Sequence, residues 1–220
     1  MTKIFEEIPM AEPYRIKVVE PAHRLSRAER EEALKRAGYN PFLLKSEEVY
    51  IDIQTDSGTA AMSDHQWSAM MKGDEAYSGS RNYYDLQKSV QEVLGYKYFF
   101  PTHQGRGAEN ILLGTIAEEG KFVVSNQFFG TGASHLVYNG ARCMECVVDE
   151  AHDNDSTYPF KGNIDLDKVK AFVAEQGVDK IGFFIMTCTN NPGGGQPVSM
   201  ANLKEISAYA KSIGKRLFLD

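Results

Sequence analysis

Two glycines flank an arginine in the segment Gln104-Gly105-Arg106-Gly107, which lies between a predicted strand at 97–101 and a predicted helix at 105–116. Free N–H groups at the start of a helix attract anions, and glycine lets a phosphate approach the backbone closely. The spacing completes neither the dinucleotide-binding motif nor a P-loop. The segment therefore predicts a phosphate site, with a tight turn that carries a surface arginine as the alternative.

Two later loops carry side chains suited to a flat, polar ring. Phe128 and Phe129 follow a predicted strand at 122–126, where adjacent aromatic rings offer a stacking surface unless both belong to the core. Asn191 lies in a loop dense in turn-forming residues after the apolar strand predicted at 181–187, and its amide can hydrogen-bond a phenolic oxygen. An ordinary strand–helix turn is the alternative for this loop.

Asp220 closes the series at the end of a strand predicted at 216–219. A carboxylate there can keep a pyridinium nitrogen protonated, and this protonation makes pyridoxal 5'-phosphate (PLP) an electron sink. Ligands of an open α/β sheet bind beyond the carboxyl ends of its strands. Four consecutive strand ends would thus supply a phosphate site, a stacking ring, a polar contact and an anion to one PLP molecule.

The predicted elements that position these loops alternate between strand and helix. Strands are predicted at 49–53, 97–101, 122–126, 142–148, 181–187 and 216–219, and helices at 26–37, 63–71, 83–94, 105–116, 131–139, 165–176 and 200–213. Helices of about 10 to 15 residues between strands indicate βαβ units and a mainly parallel sheet. Residues 181–186 are apolar throughout, as in a strand that is covered on both faces.

The composition favours a globular protein that acts on small molecules. A formal net charge of -6 argues against nucleic-acid and anionic-membrane partners, and no apolar run is long enough to cross a membrane. The three cysteines do not form a disulfide framework, so a cytoplasmic location is expected. Cys143 and Cys146 have redox or metal spacing, but they lie within a predicted strand and are interpreted as packed and inert.

Four segments resemble the tryptophanase and tyrosine phenol-lyase family of PLP-dependent enzymes. They are Thr55-Asp56-Ser57-Gly58-Thr59, Gly73-Asp74-Glu75-Ala76-Tyr77, residues 101–109 and Gly194-Gly195-Gln196-Pro197-Val198-Ser199. The resemblance covers nearly the whole chain and implies an α/β, PLP-dependent transferase-like fold (fold type I, aminotransferase-like) with a mainly parallel sheet. It implies an N-terminal arm and helix at 1–48, and the N-terminal part of the PLP-binding large domain at 49–220.

The resemblance also assigns the cofactor contacts. The contacts to the PLP phosphate fall on Gln104, Gly105 and Arg106. Phe129 would stack on the pyridine ring, Asn191 would contact the phenolic oxygen of the ring, and Asp220 would contact its nitrogen.

Further roles implied by the resemblance lie at the substrate end of the site and at subunit interfaces. The residues that would contact the aromatic amino acid are Phe42, Thr55 and Ser57. Tyr77 would enter from a neighbouring subunit of a homotetramer and donate a proton to the leaving aromatic ring. Gly58 and Glu75 would help to hold a monovalent cation, normally potassium, at a subunit interface.

Members of this family remove the α-proton of an aromatic amino acid and expel the aromatic ring, which leaves pyruvate and ammonia. The lysine that binds PLP would lie beyond Asp220, and the C-terminal small domain would also be missing, so the chain is expected to be a fragment that is inactive alone. Gly130 stands where family members carry Asp or Thr. Tryptophan is the expected substrate, because residues 12–16 and 77–81 look more like tryptophanase, and tyrosine is the alternative.

Two other classes stay open on the sequence alone. One is a different fold-type-I PLP enzyme, such as a threonine aldolase or a cysteine-desulfurase relative. Tyr77 together with Glu75 argues against it, since both belong to the aromatic-lyase pattern. The other is a non-catalytic fragment that acts only through subunit association.

Overall fold

The computed structural model describes residues 24–52 and 62–220. The chain divides into two compact units, Met1–Phe99 and Phe100–Asp220. This division reflects how the chain packs. The boundary between 48 and 49 that the sequence suggests for the domains stays a prediction.

The first unit is helical where it is described. It contains the helices α1 (Arg27–Arg36), α2 (Asp64–Met71) and α3 (Arg81–Leu94), with short 3₁₀ helices at Pro41–Leu43 and Ser46–Glu48. Ser26 and Glu29 form the predicted capping box, in which the Glu29 N–H donates to the Ser26 hydroxyl and the Ser26 N–H donates to the Glu29 carboxylate. Gly95 ends α3 in the left-handed conformation, at φ 73°.

Two predicted strands are absent from the structure. Residues 49–52 form no strand, and residue 53 lies outside the described residues. Residues 97–101 also form no strand, although their apolar character suggested one. Tyr98 and Phe100 are 67% and 83% exposed, so these side chains gain no burial that would favour pairing with the sheet.

The second unit follows the predicted alternation. Its helices are α4 (Gly105–Ile116), α5 (Gly130–Tyr138), α6 (Leu166–Gln176) and α7 (Met200–Ser212), and its strands are β1 (Phe122–Ser125), β2 (Arg142–Glu145), β3 (Ile181–Met186) and β4 (Leu217–Leu219). Short 3₁₀ helices lie at Asp149–His152 and Val178–Lys180. The four strands form one parallel sheet in the order β2-β1-β3-β4, with Val124 opposite both Met144 and Phe184.

Both faces of this sheet are covered by helices, as the apolar run of β3 predicts. Side chains on one face, including Val124 and Phe184, pack with residues of α6 and α7. Side chains on the other face, including Val123 and Phe183, pack with Leu113 of α4 and with α5. Burial of one such side chain contributes roughly 1.5–3 kcal/mol to stability. The packing on both faces therefore stabilises the sheet, and the sheet in turn positions the loops that follow its strands.

Of the two cysteines with redox or metal spacing, Cys146 is packed into the core. Cys146 is fully buried, and burial raises the pKa of its thiol to about 11, so the thiolate is scarce at neutral pH. Within residues 24–52 and 62–220, no group of three or more His, Cys, Asp or Glu could hold a metal ion. No helix in the same ranges is long and apolar enough to cross a membrane.

Candidate active site

The first turn of α4 offers two unpaired backbone donors. Gln104 precedes the helix in an extended conformation, and its carbonyl accepts hydrogen bonds from the N–H of Gly107 (3.0 Å) and of Ala108 (3.2 Å). Within the part of the chain that is described, no group accepts a hydrogen bond from the N–H of Gly105 or Arg106. Because a Cβ on Gly105 would meet nothing within 4 Å, the approach to these donors is open, as an anion requires.

The second glycine of the motif has a separate structural reason. A Cβ on Gly107 would lie 2.5 Å from His103 Cε1 and 2.9 Å from its Nδ1. The imidazole ring of His103 therefore packs directly on the first turn of α4, in the space that a side chain at 107 would fill.

The structure separates the two adjacent phenylalanines. Phe128 is only 7% exposed and belongs to the core with Leu136 and Phe183. Phe129 is half-buried and occupies the position just before α5, so its ring borders the loop rather than the core. Of the two alternatives for the pair, the core interpretation holds for Phe128, and the stacking role of Phe129 stays a prediction.

The third loop is held in place by Asn190 rather than by Asn191. The backbone of Asn190 pairs with Gln196 (N–H to carbonyl, 2.8 Å), and its side-chain Nδ2 donates to Gln127 Oε1 at 2.8 Å. Asn190 is fully buried, whereas the predicted contact residue Asn191 is exposed. The loop after β3 is therefore joined to the loop after β1, and Asn191 projects from a supported segment.

Asp220 lies directly beyond the ends of β3 and β4. Its N–H donates to the carbonyl of Met186 (3.0 Å), and its own carbonyl accepts from the N–H of Cys188 (2.7 Å). Burial raises the pKa of the Asp220 carboxyl, and the nearby charge of Glu109 raises it further. Because Glu109 belongs to α4, the early part of that helix and Asp220 lie at the same edge of the sheet.

The loops that follow β1 and β3, and Asp220 after β4, lie at one edge of the parallel sheet, but four strand ends do not meet there, and the convergence of the predicted residues on one ligand stays a prediction. Three strands, β1, β3 and β4, contribute loops or residues, and α4 follows an extended segment that is not a strand. Sequence reasoning missed the residues that tie these loops together, namely Glu109, Asn126, Gln127 and Asn190. Their polar side chains beside the predicted loops were the available signal.

The residues predicted for the substrate and the cation belong to the first unit. Phe42 and Tyr77 are 79% and 105% exposed, and Glu75 is exposed as well. The loop before α3 is shaped by Asp74, whose carboxylate accepts from the N–H of Arg81 at 2.8 Å. The predicted contacts Thr55, Ser57 and Gly58 lie outside the described residues. The roles of all these residues stay predictions.

Comparison with known proteins relates the chain to beta-eliminating lyases. A family model described as beta-eliminating lyase matches residues 52–220. Tyrosine phenol-lyase from Nostoc punctiforme is 50% identical over 210 residues, which cover 96% of this chain and 45% of that protein. The same enzyme from Lacrimispora saccharolytica is 51% identical over 209 residues, which cover 95% of this chain and 45% of that protein.

Among solved structures, the chain is similar to a PLP-bound C-S lyase from Staphylococcus hominis. The identity is 19% and the TM-score 0.46, with 63% of this chain and 35% of that chain covered.

The parallel sheet with helices on both faces defines an α/β fold, and the family match assigns it to the PLP-dependent, fold-type-I class. The chain belongs to the beta-eliminating lyase family, which includes tryptophanase and tyrosine phenol-lyase. It spans about 45% of the length of the curated relatives named above.

Proposed function

We propose that the whole protein to which this chain belongs catalyses PLP-dependent β-elimination of an aromatic L-amino acid, with L-tyrosine giving phenol, pyruvate and ammonia. The observation that carries this proposal is 50% identity to tyrosine phenol-lyase across 96% of the chain. The names of these relatives favour tyrosine over tryptophan, and so the preference for tryptophan taken from two short segments is not supported.

The described residues fit PLP. The unpaired N–H groups of Gly105 and Arg106, with the Arg106 guanidinium, suit a phosphate. The half-buried ring of Phe129 suits a stacked pyridine, and the exposed amide of Asn191 suits its phenolic oxygen. The carboxylate of Asp220 suits a protonated ring nitrogen. When bound, PLP withdraws electrons from the α-carbon of the substrate and so makes its proton acidic.

The residues of this chain would act by position and charge. The carboxylate of Asp220 would hold a proton on the ring nitrogen, because an anion stabilises a cation beside it. Phe129 would keep the ring in one plane, and Arg106 would anchor the phosphate end. The hydrogen bond between Asn190 and Gln127 would keep Asn191 and Phe129 at a fixed separation.

The remaining assignments extend the proposal to the first unit. Tyr77 would donate a proton to the leaving ring from a neighbouring subunit of a homotetramer, and its full exposure is compatible with such a contact. The substrate contacts would be Phe42, Thr55 and Ser57. Gly58 and Glu75 would hold a potassium ion, and activity would then depend on the cation supplied.

A product assay on the full-length protein tests the function. The protein is freed of PLP, supplied again with PLP and potassium, and assayed for pyruvate with L-tyrosine, L-tryptophan and L-threonine. The proposal expects PLP-dependent pyruvate and phenol from tyrosine. Indole from tryptophan alone would restore the tryptophan alternative, and glycine from threonine would indicate an aldolase. Absence of any PLP-dependent product would overturn the proposal of a lyase.

A further inference from the structure

Helix α5 begins without a capping side chain of its own. The residue before it is Phe129, which has no side-chain oxygen to accept a hydrogen bond from the first turn. A helix N-terminus carries partial positive charge, and one that lacks a cap gains from a carboxylate placed beside it.

Glu109 of α4 supplies that carboxylate from a different helix. Its Oε2 accepts a hydrogen bond from the hydroxyl of Thr131 at 2.5 Å, in the first turn of α5. Its Oε1 lies 3.8 Å from the position that a Cβ on Gly132 would occupy. Glu109 and Thr131 are both half-buried and Gly132 is buried, so water competes only partly for this contact.

We propose that Glu109 is a positioning residue of the cofactor site, which fixes the first turn of α5 to α4 through Thr131 and thereby holds Phe129 in place for stacking. The inference rests on the proposed PLP site. The helix that offers Gly105 and Arg106 to the phosphate carries Glu109 one turn further on, and the turn that Glu109 holds begins directly after Phe129. The contact between Glu109 and Thr131 therefore links the phosphate end of the site to the turn that follows the stacking ring.

The position of Asp220 supports this role. The charge of Glu109 reaches Asp220 strongly enough to contribute to the raised pKa of that carboxyl. Glu109 is therefore close enough to Asp220 to act on its charge, while its own carboxylate contacts the first turn of α5.

The test uses the full-length protein and measures three quantities. These are the dissociation constant of PLP from the apoprotein, the induced circular dichroism of bound PLP, and the unfolding of the apoprotein in urea. Glu109→Ala and Thr131→Val remove the contact from either side. Thr131→Ser keeps the hydroxyl, and Glu205→Ala removes an exposed glutamate of α7 as a matched control.

We expect Glu109→Ala and Thr131→Val each to weaken PLP binding about tenfold, as loss of a charge-assisted hydrogen bond would, and to reduce the induced dichroism. The double variant should bind no more weakly than either single variant, because both remove the same contact. Thr131→Ser and Glu205→Ala should bind PLP as the wild type does. If Glu109→Ala fails to fold, the comparison of Thr131→Val with Thr131→Ser carries the test alone.

The outcomes separate this inference from the proposed function. Wild-type protein that binds no PLP would remove the proposed function and this inference with it. Wild-type protein that binds PLP, with variants that bind it equally well, would overturn only the role of Glu109. Loss of apoprotein stability with unchanged dichroism of the bound cofactor would also overturn it, since the contact would then serve the fold alone.

Discussion

Asn126 and Thr187 join the ends of β1 and β3 through a reciprocal pair of hydrogen bonds. The side-chain Nδ2 of Asn126 donates to the carbonyl of Thr187 at 2.9 Å, and the N–H of Thr187 donates to Asn126 Oδ1 at 3.0 Å. Nδ2 also donates to the carbonyl of Gly162 at 2.9 Å. Asn126 is fully buried, so this amide takes the place of water at the point where two site loops leave the sheet.

Replacing Asn126 with Ala should therefore destabilise the second unit strongly. The change leaves buried backbone groups at Thr187 and Gly162 without partners, and each such group costs about 1–3 kcal/mol. We expect a loss of about 3 kcal/mol in the free energy of unfolding, measured in urea. Asn154→Ala, at an exposed turn position, is the matched control and should change this quantity little. An equal effect of the two substitutions would contradict the role given to Asn126.

Phe128 and Phe129 should respond differently to the same substitution. Phe128→Ala empties a core position that is 7% exposed and should cost about 3–5 kcal/mol of stability. Phe129→Ala should cost less stability, because Phe129 is half-buried, and should weaken PLP binding by the full-length protein about tenfold. Urea unfolding and PLP titration of both variants separate the two effects. Similar profiles for both variants would show that Phe129 is a second core residue.

Gly105 and Gly107 offer a second matched pair. Gly107→Ala places a methyl group 2.5 Å from the ring of the exposed His103, which must turn aside, so the loss of stability should be small, about 1 kcal/mol or less. Adding His103→Ala should restore most of this loss in urea unfolding. Gly105→Ala meets no neighbouring atom, so stability should hold while PLP binding weakens, because the methyl group obstructs the phosphate donors. Unchanged PLP affinity in Gly105→Ala would argue against a phosphate at this turn.

The raised pKa of Asp220 predicts a pH dependence in the apoprotein. A carboxyl whose pKa is higher in the folded state binds its proton more tightly there, so its contribution to stability is present at low pH and is lost as the pH rises through the folded pKa. Asp220→Asn should therefore raise the melting temperature of full-length apoprotein at neutral pH, and the difference should shrink toward about pH 4. Calorimetry of both proteins across this range checks it. A lower melting temperature at neutral pH would contradict the stated direction.

Local chemistry made most of the fold predictable. Ser26 with Glu29 marks the start of α1 by a capping box, Gly95 ends α3, and the continuous apolar run of β3 indicates a strand covered on both faces. The strand predicted at 97–101 was wrong. The apolar residues there are typical of a strand, and only the tertiary structure shows that Tyr98 and Phe100 are exposed.

The loops of the candidate site could be predicted from the sequence, but the hydrogen bonds that hold these loops in place could not. A glycine at the start of a helix and a polar residue at the end of a strand can be recognised as candidate site residues from their type and position, as with Gly105 and Asp220. The contacts of Gln127 with Asn190 and of Glu109 with Thr131 join residues 63 and 22 positions apart along the chain. Such pairs depend on strand order and helix packing, which a single sequence does not specify.

The central claim is that the start of α4, Phe129, Asn191 and Asp220 surround one PLP molecule, and a crystal structure of the full-length protein grown with PLP tests it most directly. We expect the phosphate to lie against the N–H groups of Gly105 and Arg106. The ring should stack on Phe129, with its nitrogen beside Asp220. Density that places the phosphate away from α4, or the ring nitrogen away from Asp220, would contradict it.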